Sequence, residues 1–321
     1  MSVTEEKNKK IIIIDSNSVI HRAYHALPPL RRKNGELVNA VYGFLLVFFK
    51  AIKDFHPDFI AATFDFPAPT FRHKKYKAYK AKRPRAPEDL YAQIPRVKEF
   101  LKSFGVSIFE KEGFEADDII GTIAKTSQRQ QVLPPIDIII LSGDMDALQL
   151  VDDRTKVYVL RKGVKDIVLY DEKQVEKKFQ GLIPEQILDF KSLRGDPSDN
   201  IPGVTGVGEK TAISLLLTFN SLDELYREVE NKTKKAERVR PKLRDTLLKY
   251  KEQALISREL AKVETNVPID FSLKSCGWVN YDKKEVARLL ESFEFYSLIK
   301  KLPDPSKKEE RGLTRENLRL W

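Results

Sequence analysis

The chain has 321 residues, 41% of them hydrophobic and 32% charged, which is enough for one or two full cores and excludes a minimal or disordered fold. Fifty-seven Lys and Arg against 47 Asp and Glu give a net charge of +10, favouring an anionic partner such as nucleic acid over a small neutral metabolite. Cys276 is the only cysteine, which excludes an internal disulfide and suits a reducing cytoplasm. The N-terminal aliphatic run Ile11 to Ile14 is too short for a signal or a membrane span, so no membrane role is expected.

Residues 1 to 10 are polar and lysine-rich and read as a frayed start. Strands are expected at 11 to 15, 58 to 65, 106 to 109, 136 to 141 and 156 to 160. Helical patterns near 39 to 54, 88 to 104, 115 to 130 and 145 to 151 separate them, so 11 to 183 reads as an α/β unit with a mainly parallel central sheet flanked by helices. After about residue 171 the β-rich runs nearly vanish. Helical periodicity at 184 to 193, 209 to 219, 222 to 229, 237 to 264 and 282 to 300 places a helical region over 184 to 302, and 303 to 321 reads as a tail or linker.

Nine acids carry the chemical signal: Asp15, Asp65, Glu115, Asp117, Asp118, Asp144, Asp146, Asp196 and Asp199. Three follow apolar runs directly: Ile11 to Ile14 before Asp15, Phe59 to Phe64 before Asp65, and Ile136 to Gly143 before Asp144. Ligands of open parallel sheets bind just outside the carboxyl ends of the strands, so these acids should meet in one crevice. Glu115 and Asp118 are spaced to share a helix face, and in a first turn they also suit the helix dipole. Asp144 and Asp146 could likewise form an ordinary cap, but a solitary Asp ending a strand has no such explanation. Carboxylates crowded together without His or Cys call for hard cations, Mg²⁺ or alternatively Mn²⁺. Two ions, roughly 3.5 to 4 Å apart, are the usual arrangement for in-line hydrolysis of a phosphodiester.

From Arg72 to Arg85 the chain reads RHKKYKAYKAKRPR, with eight cations, no acid, and Tyr76 and Tyr79 interleaved. The run lies in a segment, 67 to 87, that leaves the crevice mouth after Asp65, where cations would track phosphates and tyrosine would stack on a base. Lys80 and Arg83 are one helical turn apart and are expected to face the metals together. Further on, Gly203-Val204-Thr-Gly206-Val-Gly208-Glu-Lys210-Thr211 fits neither the phosphate-binding loop nor the dinucleotide fingerprint. It reads as a tight hairpin whose amides open a helix and grip a backbone phosphate without reading sequence.

The chain resembles the 5′ nuclease domain of bacterial DNA polymerase I, in the flap endonuclease and 5′ to 3′ exonuclease superfamily, from about residue 10 to about 300. The resemblance rests on Ile-Ile-Asp15 with His21-Arg22-Ala-Tyr24-His25, Ala40-Val-Tyr-Gly43-Phe, Phe64-Asp65, Ala68-Pro-Thr-Phe71-Arg72-His73, Tyr79-Lys80-Ala-Lys-Arg83, Glu115-Ala-Asp117-Asp118, Ser142-Gly-Asp144-Met-Asp146, Gly195-Asp196-Pro-Ser-Asp199 and Gly206-Val-Gly208-Glu-Lys210-Thr211. It implies a PIN-like nuclease core and a metal role for all nine acids. It also implies an arch to which Tyr79, Lys80 and Arg83 match, with Arg72 as a further expected DNA contact, and a helix-hairpin-helix at 201 to 219 that holds duplex DNA through Gly203, Val204, Gly206, Gly208, Lys210 and Thr211, often with K⁺. The implied enzyme is a monomeric two-metal-ion hydrolase cutting 5′ flaps and RNA primers near single-strand/duplex junctions in primer removal and repair, with a polymerase in cis or in trans. Ser16, Met145 and Ala147 depart from the family pattern but spare every expected ligand. A ribonuclease of a related small metal-nuclease fold would leave residues 203 to 211 without a role. A binding module without activity would leave the nine acids without purpose.

Overall fold

The computed structural model describes residues 8–130, 134–164, 166–278 and 280–304. Six strands form one sheet: β1 (Lys9–Asp15), β2 (Phe59–Thr63), β3 (Ser107–Phe109), β4 (Ile136–Ser142), β5 (Thr155–Lys162) and β6 (Asp166–Tyr170). Their order is β3-β2-β1-β4-β5-β6. All neighbours pair in parallel except β5 and β6, which are antiparallel. The fold is therefore α/β with a mostly parallel sheet, and a helical region follows it. Lys9 and Lys10, expected in a frayed start, belong to β1 because they pair with Ile136 and Asp137 of β4.

β1 is central, and its side chains alternate between two cores. Ile12 and Ile14 face a core built with helices Asn39–Phe55 and Ile94–Ser103, whereas Ile11 and Ile13 face one built with helix Ala116–Arg129. Burial on both faces is what makes the strand continuously apolar. Helix Ser16–Ala26 follows β1 without a loop and crosses helix Asn39–Phe55 closely. A Cβ on Gly43 would lie 2.7 Å from that of Ala23, so only glycine fits there.

A third core, from Leu182 to Ala254, is helical. Within it the loop 195–208 joins helix Ile187–Arg194 to helix Glu209–Phe219. Gly195 and Gly203 both have positive φ, and a Cβ on Gly203 would sit 2.2 Å from Gly195 N. The helical pattern expected over 237 to 264 is broken at Tyr250 into helices Pro241–Lys249 and Lys251–Ala261. The chain then returns: Trp278, Val286, Leu290, Phe293, Phe295 and Leu298 pack into the first core. No helix of the described residues is long and apolar enough to cross a membrane.

Candidate active site at the reversal of strand order

Strand order reverses between β1 and β4, because the connections from β1 run one way across the sheet and those from β4 the other. The crevice at such a point lies outside the carboxyl ends of the two strands. Asp15 ends β1, and Ser142, Gly143 and Asp144 end and follow β4. Asp15, for which the sequence offered no capping role, caps helix Ser16–Ala26 by accepting from Ser18 N at 3.2 Å, because the helix follows β1 without a loop; its other oxygen accepts from Ser142 Oγ at 2.7 Å. Burial pushes its carboxyl up, with Asp65 adding to the effect and the serine hydrogen bonds opposing it. A Cβ on Gly143 would lie 2.9 Å from Ser18 O, so the β4 turn presses directly on the helix that Asp15 starts. Arg22 secures the same turn by donating to Gly143 O at 2.8 Å.

Asp65 follows β2 and accepts from Ala116 N at 2.8 Å, which brings the start of helix Ala116–Arg129 to the crevice. Asp117, in that helix's first turn, receives no hydrogen bond or ion pair among the described residues. Its carboxyl is raised well above the ordinary range by burial, then by Asp15, Asp146 and Asp144. Asp146 opens a 3-10 turn (Asp146–Leu150) where the sequence suggested an ordinary helix. Burial lifts its carboxyl to about 6, with Asp144 and Asp196 adding to the effect and Lys191 opposing it.

Three cations reach these acids, Lys80 and Lys191 largely shielded and Arg83 half-exposed. Lys80 Nζ donates to Glu115 at 2.9 Å and lies 3.7 Å from Asp199, while Arg83 approaches Asp199 at 3.5 Å. Lys191, on helix Ile187–Arg194, bridges Asp146 and Asp196, the latter at 3.0 Å. Burial would raise Asp196, but Lys191 and Ser198 outweigh it and hold this carboxyl low. Asp199 is raised by burial despite Lys80 and Arg83, and its Oδ1 is buried without a hydrogen bond.

Several expected DNA contacts have other employment. Arg72 is 3% exposed and pairs with Asp118 through two 2.7 Å bonds. It also donates to Leu260 O and Lys262 O, at the end of helix Lys251–Ala261. Asp118, fully buried, accepts further from Glu115 N and Glu264 N, so its carboxylate is already saturated. Tyr79 is buried, shares its one hydroxyl proton between Glu115 at 3.0 Å and Asp199 at 3.2 Å, and packs edge-on against His73. Gly203 and Val204 are buried, and Gly203 N donates to Ser257 Oγ at 2.9 Å. Gly206, Gly208 and Lys210 are exposed and Thr211 is half-buried.

The backbone at Ala78 and Lys80 is tied to the 195–208 loop. Lys80 has a left-handed φ of 54° and its N–H donates to Asp199 O at 2.9 Å. Asn200, with φ 57°, donates through Nδ2 to Ala78 O at 2.6 Å. Among the described residues no three carboxylates close around a point as a finished metal cage. The donor set nonetheless suits Mg²⁺, which keeps its waters and takes one or two carboxylates together with substrate phosphate. The unpaired Asp117 carboxylate is where positive charge is wanting; the Asp199 oxygen that lacks a hydrogen bond already faces Arg83 at 3.5 Å.

Sequence reasoning gives no role to Lys191, Ser18 or Asn200, and names Arg22 and Ser142 only as parts of the motifs that carry the resemblance. A lysine five residues before Asp196 on a helix looks like any solvated lysine, and a Ser in Ser-Gly-Asp looks like a turn.

Taken together, a mostly parallel sheet with acids at its reversal point and a helical region after it place the chain in the α/β class with the resolvase-like sheet arrangement. Residues 10–180 match the model of the 5′-3′ exonuclease N-terminal, resolvase-like domain, and residues 182–284 match that of the 5′-3′ exonuclease C-terminal SAM fold, so the chain belongs to the 5′-3′ exonuclease family. It is 38% identical over 314 residues to DNA polymerase I of Bacillus subtilis, covering 98% of this chain and 34% of that protein. It is 40% identical over 301 residues to DNA polymerase I of Chloroflexus aurantiacus, covering 91% and 31%. The chain thus spans about a third of the length of these curated relatives. In fold it is similar to the D15 flap endonuclease of bacteriophage T5, solved with DNA and metal ions, at TM-score 0.65 and 18% identity over 89% of this chain and all of that one. The catalytic core of Rad2 in complex with DNA substrate matches at TM-score 0.54 and 17% identity, over 92% and 93%.

Proposed function

We propose that this chain is a divalent-metal-dependent, structure-specific 5′ nuclease that hydrolyses DNA, and RNA primers, near single-strand/duplex junctions. The observation that carries the reading is the meeting of acids from β1, β2, β4, helix Ala116–Arg129 and the 195–208 loop at one crevice, beneath an arch carrying Lys80 and Arg83. Asp15, Asp65, Glu115, Asp117, Asp144, Asp146, Asp196 and Asp199 would hold two Mg²⁺ ions, with Mn²⁺ as a substitute. When bound, the ions would supply Lewis acidity at the scissile phosphate and a nucleophilic water at neutral pH.

The protein's own groups do the rest. Asp118, which sequence alone placed among the metal ligands, acts through Arg72, fixing the helix start that presents Glu115 and Asp117. Lys80 and Arg83, on their pinned backbone, aim positive charge at the place where phosphate charge builds up. Tyr79 holds Glu115 and Asp199 at a fixed spacing from beneath the arch. The exposed amides at Gly206, Gly208 and Lys210 grip a duplex phosphate at the start of helix Glu209–Phe219, in helix-hairpin-helix fashion and with K⁺ as the expected companion ion. The rigid join between that loop and Asp196 and Asp199 fixes the distance from grip to cut. Working as a monomer in the cytoplasm, it would serve primer removal and repair beside a polymerase.

Labelled 5′-flap, single-stranded and blunt duplex DNA, incubated with and without Mg²⁺, provide the test. Metal-dependent cleavage near the flap junction is expected. Junction binding without cutting would leave a binding module instead.

A further inference from the structure

Lys191 is the least expected member of the site. Its side chain is only 11% exposed, and it rises from helix Ile187–Arg194 of the helical region to reach Asp146 on the sheet side and Asp196 on its own. We infer that Lys191 is an internal stand-in for a divalent cation: its ammonium holds the Asp146 and Asp196 carboxylates together until the second metal ion arrives, and that ion displaces it. The inference rests on the metal reading of the site proposed above.

Three observations support it. Asp146 and Asp196 come from different parts of the fold, and Lys191 spans the gap between them with one bond to each carboxylate. The two carboxylates are partly screened from water, with side chains 24% and 13% exposed, so they repel unless a cation stands between them, and here a side chain supplies it. The Lys80 ammonium, between Glu115 and Asp199, holds the opposite end of the crevice in the same manner, but it rides on the arch beside Arg83. Lys191 instead stands on a helix packed in the protein, so its side chain can retract along its own helix while the carboxylates stay in place. Charge at this point is thereby kept near balance before and after loading.

A purely structural ion pair would make a different prediction. If Lys191 only tied the two regions, removing it would loosen the site and weaken metal uptake. If it stands in for an ion, removing it abolishes a competitor and leaves two carboxylates asking for charge. The test uses the full chain without DNA, titrated with Mn²⁺ by calorimetry and by electron paramagnetic resonance. Lys191→Met should tighten the weaker Mn²⁺ step at least tenfold. It should also lower the melting temperature without metal and show a larger rise than wild type when Mn²⁺ is added. Unchanged or weaker Mn²⁺ affinity in a folded Lys191→Met protein overturns the inference while leaving the metal site intact. No Mn²⁺ uptake by wild type would remove the metal site itself, and the inference with it. A second measurement on wild type holds even if the variant fails to fold: acetylation of Lys191, followed by mass spectrometry, should rise several-fold with saturating Ca²⁺. Constant protection across the Ca²⁺ titration would mean that the ammonium never leaves, and the inference would be wrong.

Discussion

Asp144 stands where β4 gives way to the 3-10 turn, and its carboxylate accepts from the N–H of Asp146 at 3.1 Å, so its position is set by backbone rather than by chance. Replacing it by Asn keeps that acceptor and removes the charge. Asp144→Asn is expected to cut flap DNA about a thousandfold more slowly, or worse, while junction affinity measured in Ca²⁺ stays within a few-fold. Retained turnover would take Asp144 out of the metal site. Lys80 answers a different question. Burial would lower its ammonium, but Glu115 and Asp199 raise it, so it stays charged throughout the neutral range. Lys80→Ala should therefore lower kcat by about a hundredfold or more with little change in KM, as expected for charge that matters mainly in the transition state. A change confined to KM would make Lys80 a simple phosphate anchor.

At the scale of elements, Arg72 joins three of them: the foot of the arch, the start of helix Ala116–Arg129 and the end of helix Lys251–Ala261. Arg72→Met would leave Asp118 buried and unpaired and two helix-end carbonyls without a donor. A loss of about 3–5 kcal/mol of stability by chemical denaturation is expected. A variant as stable as wild type would show that Arg72 is no keystone. On the opposite side of the sheet Glu36 ties the loop before helix Asn39–Phe55 to its surroundings, accepting from Arg32 at 2.5 Å and Arg96 at 2.9 Å. Burial would raise its carboxyl, but the two arginines outweigh it and hold it below the usual range. The unfolded chain therefore binds the proton more readily than the native one between the two pKa values. The contribution of Glu36 is present above the unfolded value and is lost as pH falls through the folded one. Glu36→Gln should flatten the acid limb of the stability curve below about pH 4.5. An unaltered acid limb would show that the pair adds nothing.

Much of this architecture could be read from residues alone, and the exceptions have causes. β1, β2 and β4 are buried on both faces, so their apolar runs and terminal acids stand out. β6 was missed because Asp166 to Tyr170 is short and only half-buried, and helix Ser16–Ala26 because polar residues such as Asn17, His21, Arg22 and His25 dilute its apolar stripe. Arg72 reads from sequence as a DNA contact because nothing local reveals that Asp118, 46 positions on, lies opposite. The same blindness hid Lys191: ion pairs between distant segments leave no periodic trace.

For the molecule as a whole, the excess of ten positive charges coexists with a crevice where acids predominate, so the basic groups are concentrated elsewhere on the surface. Affinity for junction DNA, measured in Ca²⁺, should fall by about an order of magnitude or more between 50 and 200 mM salt. A flat salt response would deny backbone phosphates their part in binding. The return of Trp278 to Leu298 into the first core has a consequence for synthesis. Phe100 and Phe104 emerge from the ribosome long before the aromatic residues that cover them, including Phe293, Phe295 and Tyr281. The nascent sheet therefore waits with one greasy flank open until the chain has grown by nearly two hundred residues beyond Phe100, an interval in which a chaperone's protection would matter most.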